Sequence, residues 1–515
     1  MTWRMRAMTG VLALSGALTG SLAGAGETRL ADALQAADRA TALQLLRAGA
    51  DVNAAQPDGT TPLHWAVHAV DAEVVNALLA KGAKADVRNS FGATPLAEAA
   101  KVANVDLVRA LLKAGAKADA ANEDGETPLM LAARTGVVDV AKELVKAGAK
   151  VNAKEAWRGQ TPLMWAAGSA HADMTAFLIS KGADVNLRAV INDFATQVTS
   201  EPRAQYRPTG GLTPLLYAAR SGCGACVTSL LKAGADIDRP TPDGVTALMT
   251  AIDNLQFDLA KQLLERGANP YVQDWWGRTA LYCATDMNSY GPRGGGAVAR
   301  VAKSTSALDM MRLLLDKGVN VNPQLNMHRP GRGGNSGRFT DDLLTVGATP
   351  LLRAAIGFDN EAISLLLERG ALVDLPNGMG VTPLMAAAGL GVSIRDPRGN
   401  YGGDVQARAL STMELLVKSG ANVNARVTDT SGHTARIARP STMTSREGQT
   451  AIYGPINWGW TQVVQYLLDH GARVDVADAA GKTPLDAVAG NAGGRDFKAT
   501  DEVAALIRKA AKPGA

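Results

Sequence analysis

The sequence predicts an all-α solenoid built from short helix-turn-helix units, and two observations lead to this prediction. The tripeptide T-P-L, or a close variant of it, opens segments at a nearly constant period, as at Thr61, Thr94 and Thr127. A second element, L-L-x-x-G-A, closes most segments, as in LLAKGAKAD at 78–86 and LLKAGAKAD at 111–119. Self-similarity at a fixed period of roughly 20–50 residues is typical of repeat architectures.

The number of repeat units follows from their opening threonines. Eleven segments carry the opening, and an atypical first segment ends in LLRAGADVN at 45–53. Together they predict a solenoid of about 12 repeat units within residues 26–515. The openings begin at Thr61, Thr94, Thr127, Thr161, Thr213, Thr246, Thr279, Thr349, Thr382, Thr450 and Thr483.

Each repeat unit carries the signals of two helices and of the turns between them. Thr127 followed by Pro128 is a favourable helix start, because threonine caps a helix and proline suits its first position. Gly136 and Gly148 can end the first and the second helix in the left-handed conformation. One unit cannot bury its own apolar face, so we expect stability to come from stacking on its neighbours.

These units resemble the ankyrin repeat, whose T-P-L-H-x-A opening matches TPLHWA at 61–66 and whose period matches the spacing found here. The resemblance covers nearly all of the chain after Ala25. It implies a turn, two antiparallel helices and a finger-like hairpin in each unit, with the first helices facing a concave groove. Such an array favours a non-catalytic scaffold that binds another protein in this groove, without a cofactor and as a monomer.

The charge balance bears on the class of partner, and the N-terminus bears on the compartment in which such a scaffold works. With 53 basic and 49 acidic residues, the formal charge of +4 gives no indication of nucleic-acid binding. Residues 1–25 read as a signal peptide, because Arg4 and Arg6 precede a weakly apolar run that ends in the small residues Ala23-Gly24-Ala25. An alanine-rich leader is the alternative. We therefore expect a periplasmic or secreted protein with no integral membrane segment after cleavage.

Five insertions interrupt the period. Three lengthen the fingers near 187–209, 323–346 and 425–447, and two lie between first and second helices near 285–304 and 391–409. Insertions map to loops, and one elaborated edge of a solenoid is often its binding face. They are either a partner-binding edge that uses arginine forks or tolerated surface loops. The conspicuous arginines of the long fingers are Arg203, Arg207, Arg329, Arg332, Arg338, Arg436, Arg439 and Arg446.

The C-x-x-C pair Cys223 and Cys226 is the clearest hint of chemistry. Cys226 occupies the position that Val74 and Leu107 fill in other units, so it is expected in the core, with Cys223 at the turn before the second helix. A thioredoxin-like site requires a preceding strand, and a zinc site requires two more ligands. We expect an inert or disulfide-bonded pair. A thiol-redox or metal-dependent enzyme that uses this pair is the alternative.

The remaining cysteine and the histidines suggest structural roles. Cys283 aligns with Trp65 and is expected to be a buried, unpaired thiol. His64 and His68 have the spacing of a metal pair, but His64 belongs to the repeat opening and no third ligand is evident, so no metal site is expected.

Four tryptophans are candidate partner-binding residues. Trp157, Trp275 and Trp276 stand in fingers, and Trp458 stands at the end of a first helix, beside the groove. Tryptophan and arginine on an exposed rim are typical anchors of interfaces. The alternative is that each tryptophan packs against its neighbouring finger. Recognition of a glycan or peptide by this rim is a further hypothesis.

Overall fold

The computed structural model describes residues 28–192, 208–289, 305–326, 343–391, 405–428, 446–489 and 501–512. These residues form 24 helices and one pair of two-residue strands, which confirms the predicted fold class. The chain divides into two compact bodies, Met1–Trp157 and Arg158–Ala515, called here the N-terminal and C-terminal bodies. Within the described part, no helix is both long enough and apolar enough to span a membrane.

The N-terminal body consists of four consecutive helix pairs. In each pair a first helix is followed after a short turn by a second, antiparallel one, and first helices contact first helices of the next pair. The helices are α1 (Arg29–Gln35), α2 (Arg39–Arg47), α3 (Pro62–His68), α4 (Ala72–Ala80), α5 (Pro95–Lys101), α6 (Val105–Lys113), α7 (Pro128–Thr135) and α8 (Val138–Lys146).

The C-terminal body continues the same pattern with eight helix pairs. Its only strands in the described residues, β1 (Ile191–Asn192) and β2 (Thr209–Gly210), pair antiparallel with Ile191 opposite Gly210. The helices are α9 (Pro162–Gly168), α10 (Ala172–Ser180), α11 (Pro214–Ser221), α12 (Gly224–Lys232), α13 (Ala247–Asp253), α14 (Phe257–Glu265), α15 (Ala280–Ser289), α16 (Ala307–Asp316), α17 (Pro350–Ile356), α18 (Asn360–Glu368), α19 (Pro383–Ala387), α20 (Val405–Lys418), α21 (Tyr453–Trp458), α22 (Thr461–Asp469), α23 (Pro484–Ala489) and α24 (Asp501–Ala510).

The repeated threonine starts the first helix in the way the sequence predicts. The hydroxyl of Thr94 accepts a hydrogen bond from the Ala97 N–H at 3.1 Å, and Pro95 takes the first helical position. This satisfies one N–H group that has no partner inside the helix. Gly136 ends α7 in the left-handed conformation at φ 79°, as predicted. Several equivalent positions carry a side chain instead, as at Leu255 with φ 61°, which costs backbone strain.

Stacked hairpins are joined by asparagine side chains. The Asn186 amide donates to the Gly234 carbonyl at 3.0 Å and accepts from the Asp236 N–H at 3.0 Å, so one side chain satisfies two backbone groups of the next repeat. Asn424 makes the same pair of bonds to Gly471 and Arg473, at 2.9 Å each. These bonds fix the distance between successive hairpins.

Two helices extend into the segments predicted as helix-turn insertions. Residues 285–289 continue α15, and residues 405–409 are the first residues of α20. Asp286 is completely buried and forms an ion pair with Arg353 of α17, with a distance of 2.6 Å between Asp286 Oδ1 and Arg353 Nε, which gives the extra turn of α15 a partner. In α20 the apolar positions recur at helical spacing from Ala409 to Leu416.

Candidate protein-interaction surface

The fingers are linked to one another by backbone hydrogen bonds at their tips. In the N-terminal body the Ser90 N–H donates to the Asp58 carbonyl and the Ala156 N–H donates to the Asp124 carbonyl, at 2.7 Å each. In the C-terminal body the Trp275 N–H donates to the Asp243 carbonyl at 2.9 Å. Side chains beside these bonds are therefore held on a fixed backbone.

The three long fingers share one base geometry. In the first, the Gly211 N–H donates to the Val190 carbonyl at 2.9 Å, and the Val190 N–H donates to Arg158 of the preceding finger at 2.6 Å. The second and third fingers repeat the bond to the preceding finger, while their internal bond ends one residue earlier, at the carbonyls of Leu325 and Val427. There the N–H groups of Gly347 and Gly448 bond within the finger, and those of Asn326 and Thr428 donate to Trp276 and Met379 of the preceding fingers at 2.8 and 2.9 Å.

Exposed aromatic side chains lie at the fingertips. Trp157 is 75% exposed and Trp275 is 40% exposed. The Trp157 N–H donates to the buried Glu155 carboxylate at 2.6 Å, which fixes the turn that presents the indole. Phe91 is 59% exposed in an equivalent turn and was not predicted from the sequence; its position carries no signal of exposure, because Trp276 also stands three residues before its repeat threonine and is buried.

The expected rim position is wrong for Trp276, which is only 3% exposed. Its ring lies 5.6 Å from the Arg278 guanidinium, and its carbonyl accepts the Asn326 N–H that anchors the second long finger. Arg278 is itself held by Asp274 at 2.7 Å and by Asp253 at 3.1 Å. Trp276 is therefore part of the packing beneath that finger.

Trp458 ends α21 and is half-buried. Its indole N–H donates to the Gly389 carbonyl at 3.0 Å, and its ring stacks on Trp460 with a centroid distance of 5.6 Å. Part of its surface is thus used inside the protein, and it belongs to a different repeat unit from Trp275.

One of the eight candidate finger arginines lies among the described residues. Arg446 is half-buried at the base of the third long finger, where burial lowers the pKa of its guanidinium. The other finger arginines, Arg203, Arg207, Arg329, Arg332, Arg338, Arg436 and Arg439, lie outside the described residues.

Cys223 and Cys226 are joined by a disulfide bond with an S–S distance of 2.01 Å. Cys223 caps the start of α12, where its sulfur accepts the Cys226 N–H at 3.2 Å, and Cys226 is completely buried. Cys283 is a buried free cysteine, and burial raises the pKa of its thiol well above its usual value. A redox partner would have to reach sulfur atoms that the packed helices cover.

His64 and His68 both make polar contacts with other residues of the protein. His64 Nδ1 accepts the Thr61 N–H at 3.2 Å, and its Nε2 lies 3.0 Å from the Ala93 carbonyl. Burial lowers the pKa of His64. His68 Nδ1 contacts the Glu98 carboxylate at 2.7 Å. Among the described residues, no three His, Cys, Asp or Glu side chains are grouped so that they could hold a metal ion.

Comparisons with known proteins agree with this architecture. The family model described as "Ankyrin repeats (3 copies)" matches residues 30–122, 104–189, 192–274 and 215–324, which together exceed half of the chain. Human neurogenic locus notch homolog protein 1 is 31% identical over 202 residues, which cover 35% of this chain and 8% of that protein. Mouse Rabankyrin-5 is 37% identical over 82 residues, or 16% of this chain and 6% of that protein.

A viral protein is also similar over part of the chain. The putative ankyrin repeat protein R664 of Acanthamoeba polyphaga mimivirus is 35% identical over 95 residues, which are 18% of this chain and 58% of that protein. The chain spans less than a tenth of the length of the notch relatives that it matches. The helix pairs, the joined fingers and the family match lead to one conclusion: this chain belongs to the ankyrin-repeat family.

Proposed function

We propose that this protein is an exported, non-catalytic scaffold that binds a protein partner through its first-helix groove and its three long fingers. Ankyrin repeats generally mediate protein–protein interaction, and proteins of this family are typically not enzymes. The finer statements, that the protein is exported and that the fingers bind the partner, are the proposal.

The common base geometry of the long fingers is the observation that carries the proposal. Val190, Asn326 and Thr428 each donate a backbone hydrogen bond to the preceding finger at the point where an insertion departs. The short fingers make the same bond, as at Ser90 and Trp275, so each insertion extends from a finger that keeps its standard link to the neighbouring finger. A loop carried on such a base starts from a fixed point, as a loop that presents side chains to a partner requires. The exposed tryptophans at the fingertips supply the rigid amphipathic anchors that interfaces favour.

Export is supported by the chemistry of the N-terminus and of the cysteines. Residues 1–25 have the charge, the apolar run and the cleavage pattern of a signal peptide. The disulfide between Cys223 and Cys226 is a type of bond that persists in oxidising compartments and is rare in the cytosol. Cell fractionation with N-terminal sequencing tests this part of the proposal. An exported chain that begins at Gly26 supports it, and a cytosolic chain with an intact N-terminus contradicts it.

The finger proposal is tested by shortening the three insertions while their hydrogen-bonded bases are kept. Residues 194–206, 328–341 and 430–444 are each replaced by a Gly-Asn turn, and partners are recovered from the exported fraction and identified by mass spectrometry. A control variant shortens 393–403, which lies between two helices and not in a finger. We expect the full-length protein and the control to recover the same partner and the finger variant to lose it. Equal recovery by all three would remove the fingers from the proposal.

A second variant tests the exposed tryptophans independently of the insertions. Trp157→Ala and Trp275→Ala together remove two exposed anchors and leave every long finger intact. Because truncating a central tryptophan anchor costs about 2 kcal/mol or more of binding energy, we expect partner affinity to fall at least tenfold. Glu265→Ala, at an exposed position on the second helix α14 and so outside both the fingers and the first-helix groove, serves as the control and should change affinity less than twofold.

A further inference from the structure

A cleft on the C-terminal body is formed by second helices of its repeats, and none of its lining residues belongs to a finger. Its volume is about 680 Å³, and it lies between α16, α18 and α20. Each helix contributes side chains spaced at helical intervals, so one stripe from each helix faces the cleft. The side chains used below are Leu308, Glu361, Leu365, Glu368, Glu414 and Leu415.

The cleft has an apolar floor. Leu365 of α18 is 6% exposed, and Leu308 of α16 and Leu415 of α20 are half-buried beside it. These three leucines lie on three neighbouring helices, so they form a band across the helices. A band of this kind accepts apolar side chains from an element that lies against it.

The rim of the cleft carries carboxylates that have no partner among the described residues. Glu361, Glu368 and Glu414 are all exposed, and none of them forms a hydrogen bond or ion pair with another residue of the described part. Two cations also line the cleft. Arg312 is already engaged by a carboxylate of its own helix at 3.0 Å, which leaves Lys418 at the end of α20. The rim therefore holds more negative than available positive charge.

Second helices of the N-terminal body show the opposite arrangement. Arg109 of α6 donates to Glu143 of α8 at 2.9 Å, and Arg39 of α2 bonds to both Asp71 and Glu73. On those helices a carboxylate is matched by an arginine of the adjacent repeat. The unmatched carboxylates around the cleft therefore give it a negative charge that is complementary to a cationic partner.

We propose that this cleft is a second interaction surface, which docks a basic amphipathic helix of a protein partner. Apolar side chains of that helix lie on Leu308, Leu365 and Leu415, and its lysine or arginine side chains pair with Glu361, Glu368 and Glu414. A helix with apolar anchors at positions i, i+3 or i+4, and i+7, flanked by cations, matches both the apolar band and the charged rim. This surface is separate from the fingers and does not depend on them.

The test measures binding of a fluorescein-labelled model helix by fluorescence anisotropy with the full-length protein. The probe is a helix of five turns, with leucine at one face and lysine at its flanks, and a second probe replaces every lysine by glutamate. The protein variant Glu361→Gln/Glu368→Gln/Glu414→Gln removes three charges at nearly constant shape. Glu265→Gln is the matched control, because Glu265 is exposed and ends α14 as Glu368 ends α18.

We expect the lysine probe to bind the native protein, to weaken with added salt, and to bind the triple variant at least tenfold more weakly. The Glu265→Gln variant and the variant with shortened fingers should keep native affinity, and the glutamate probe should not bind. No binding of the lysine probe, or affinity for the triple variant within twofold of native, overturns the proposal. An equal loss of probe binding in the Glu265→Gln variant also overturns it. So does complete displacement of the probe by spermine with an affinity equal to that of the probe, because a small amine does not contact the three leucines. Unchanged circular dichroism of the triple variant excludes misfolding as the cause.

Discussion

The buried ion pair between Asp286 and Arg353 provides the sharpest test of how the C-terminal body is held together. Asp286 has a completely buried side chain, Arg353 is 2% exposed, and the distance between Asp286 Oδ1 and Arg353 Nε is 2.6 Å. The pair joins the last part of α15 to α17, in the next repeat. We predict that Asp286→Asn, which removes the charge and preserves the shape, strongly destabilises this body.

The magnitude follows from burial. Removing one member of a buried pair leaves a charge that water does not reach, and the free energy of unfolding falls by about 3–5 kcal/mol. Replacing both members by apolar residues, as in Asp286→Leu/Arg353→Met, removes the uncompensated charge. The double variant should therefore be much more stable than the sum of the single changes implies, with a coupling energy of about 2 kcal/mol or more.

The assay is urea unfolding followed by far-ultraviolet circular dichroism, with hydrogen exchange to locate the loss in α15 and α17. The exposed pair Arg473–Asp475 is the control, with side chains 61% and 69% exposed at 2.8 Å. Because water screens such a pair, Arg473→Ala should leave the unfolding free energy nearly unchanged. If Asp286→Asn has an effect as small as the control, the pair does not hold α15 to α17 and our explanation of the helix extension is refuted.

Three further predictions concern other parts of the chain. Burial lowers the pKa of His64 below 6.5, so the unfolded chain binds a proton at this histidine more readily than the folded protein does, and stability should fall as pH drops below about 6.5. In thermal melts at a series of pH values, His64→Gln should show a smaller fall in melting temperature than the native protein, and His68→Gln should show the native fall. Gly454→Ala would place a Cβ 2.4 Å from the Ala388 carbonyl and should cost about 1–3 kcal/mol in urea unfolding, whereas Gly168→Ala meets only Tyr217 at 3.4 Å and should be tolerated. Thiol titration should find no reactive thiol in the native protein, one in denaturant and three after denaturation and reduction. The native protein should not accelerate the reduction of insulin. Rapid labelling of a thiol in the native protein would contradict the burial of these sulfur atoms.

The repeat architecture could be predicted because its signals are local and recur many times. Each Thr-Pro opening specifies a cap through groups that are close together in sequence, as Thr94 does for Ala97. Cys283 could be placed in the core by alignment with other units, and it is buried. These properties depend only on a residue's position within its own repeat.

The individual site residues were harder to predict because their exposure depends on other repeats. Trp275 and Trp276 are adjacent, yet one is 40% and the other 3% exposed, and the difference arises from Arg278 and from the finger that begins at Asn326. Asp286 occupies a position that is exposed as His68 and Arg134 in other units, and it is buried here because Arg353 lies in the next repeat. No local pattern in the sequence contains this information.

The two insertions between helices are better understood through the repeat that lies between them. From one side, Asn288 and Ser289 at the end of α15 both donate to the Asp359 carboxylate at 2.8 Å. From the other side, Arg408 near the start of α20 donates to the Gly357 carbonyl at 3.2 Å and lies 5.7 Å from the Phe358 ring. The short turn of residues 357–359 therefore anchors the helical ends of both insertions. Because both anchors meet at this one turn, the end of α15 and the start of α20 are fixed to α17 and α18, the same helices that contribute Arg353 to the buried ion pair and Leu365 to the cleft floor.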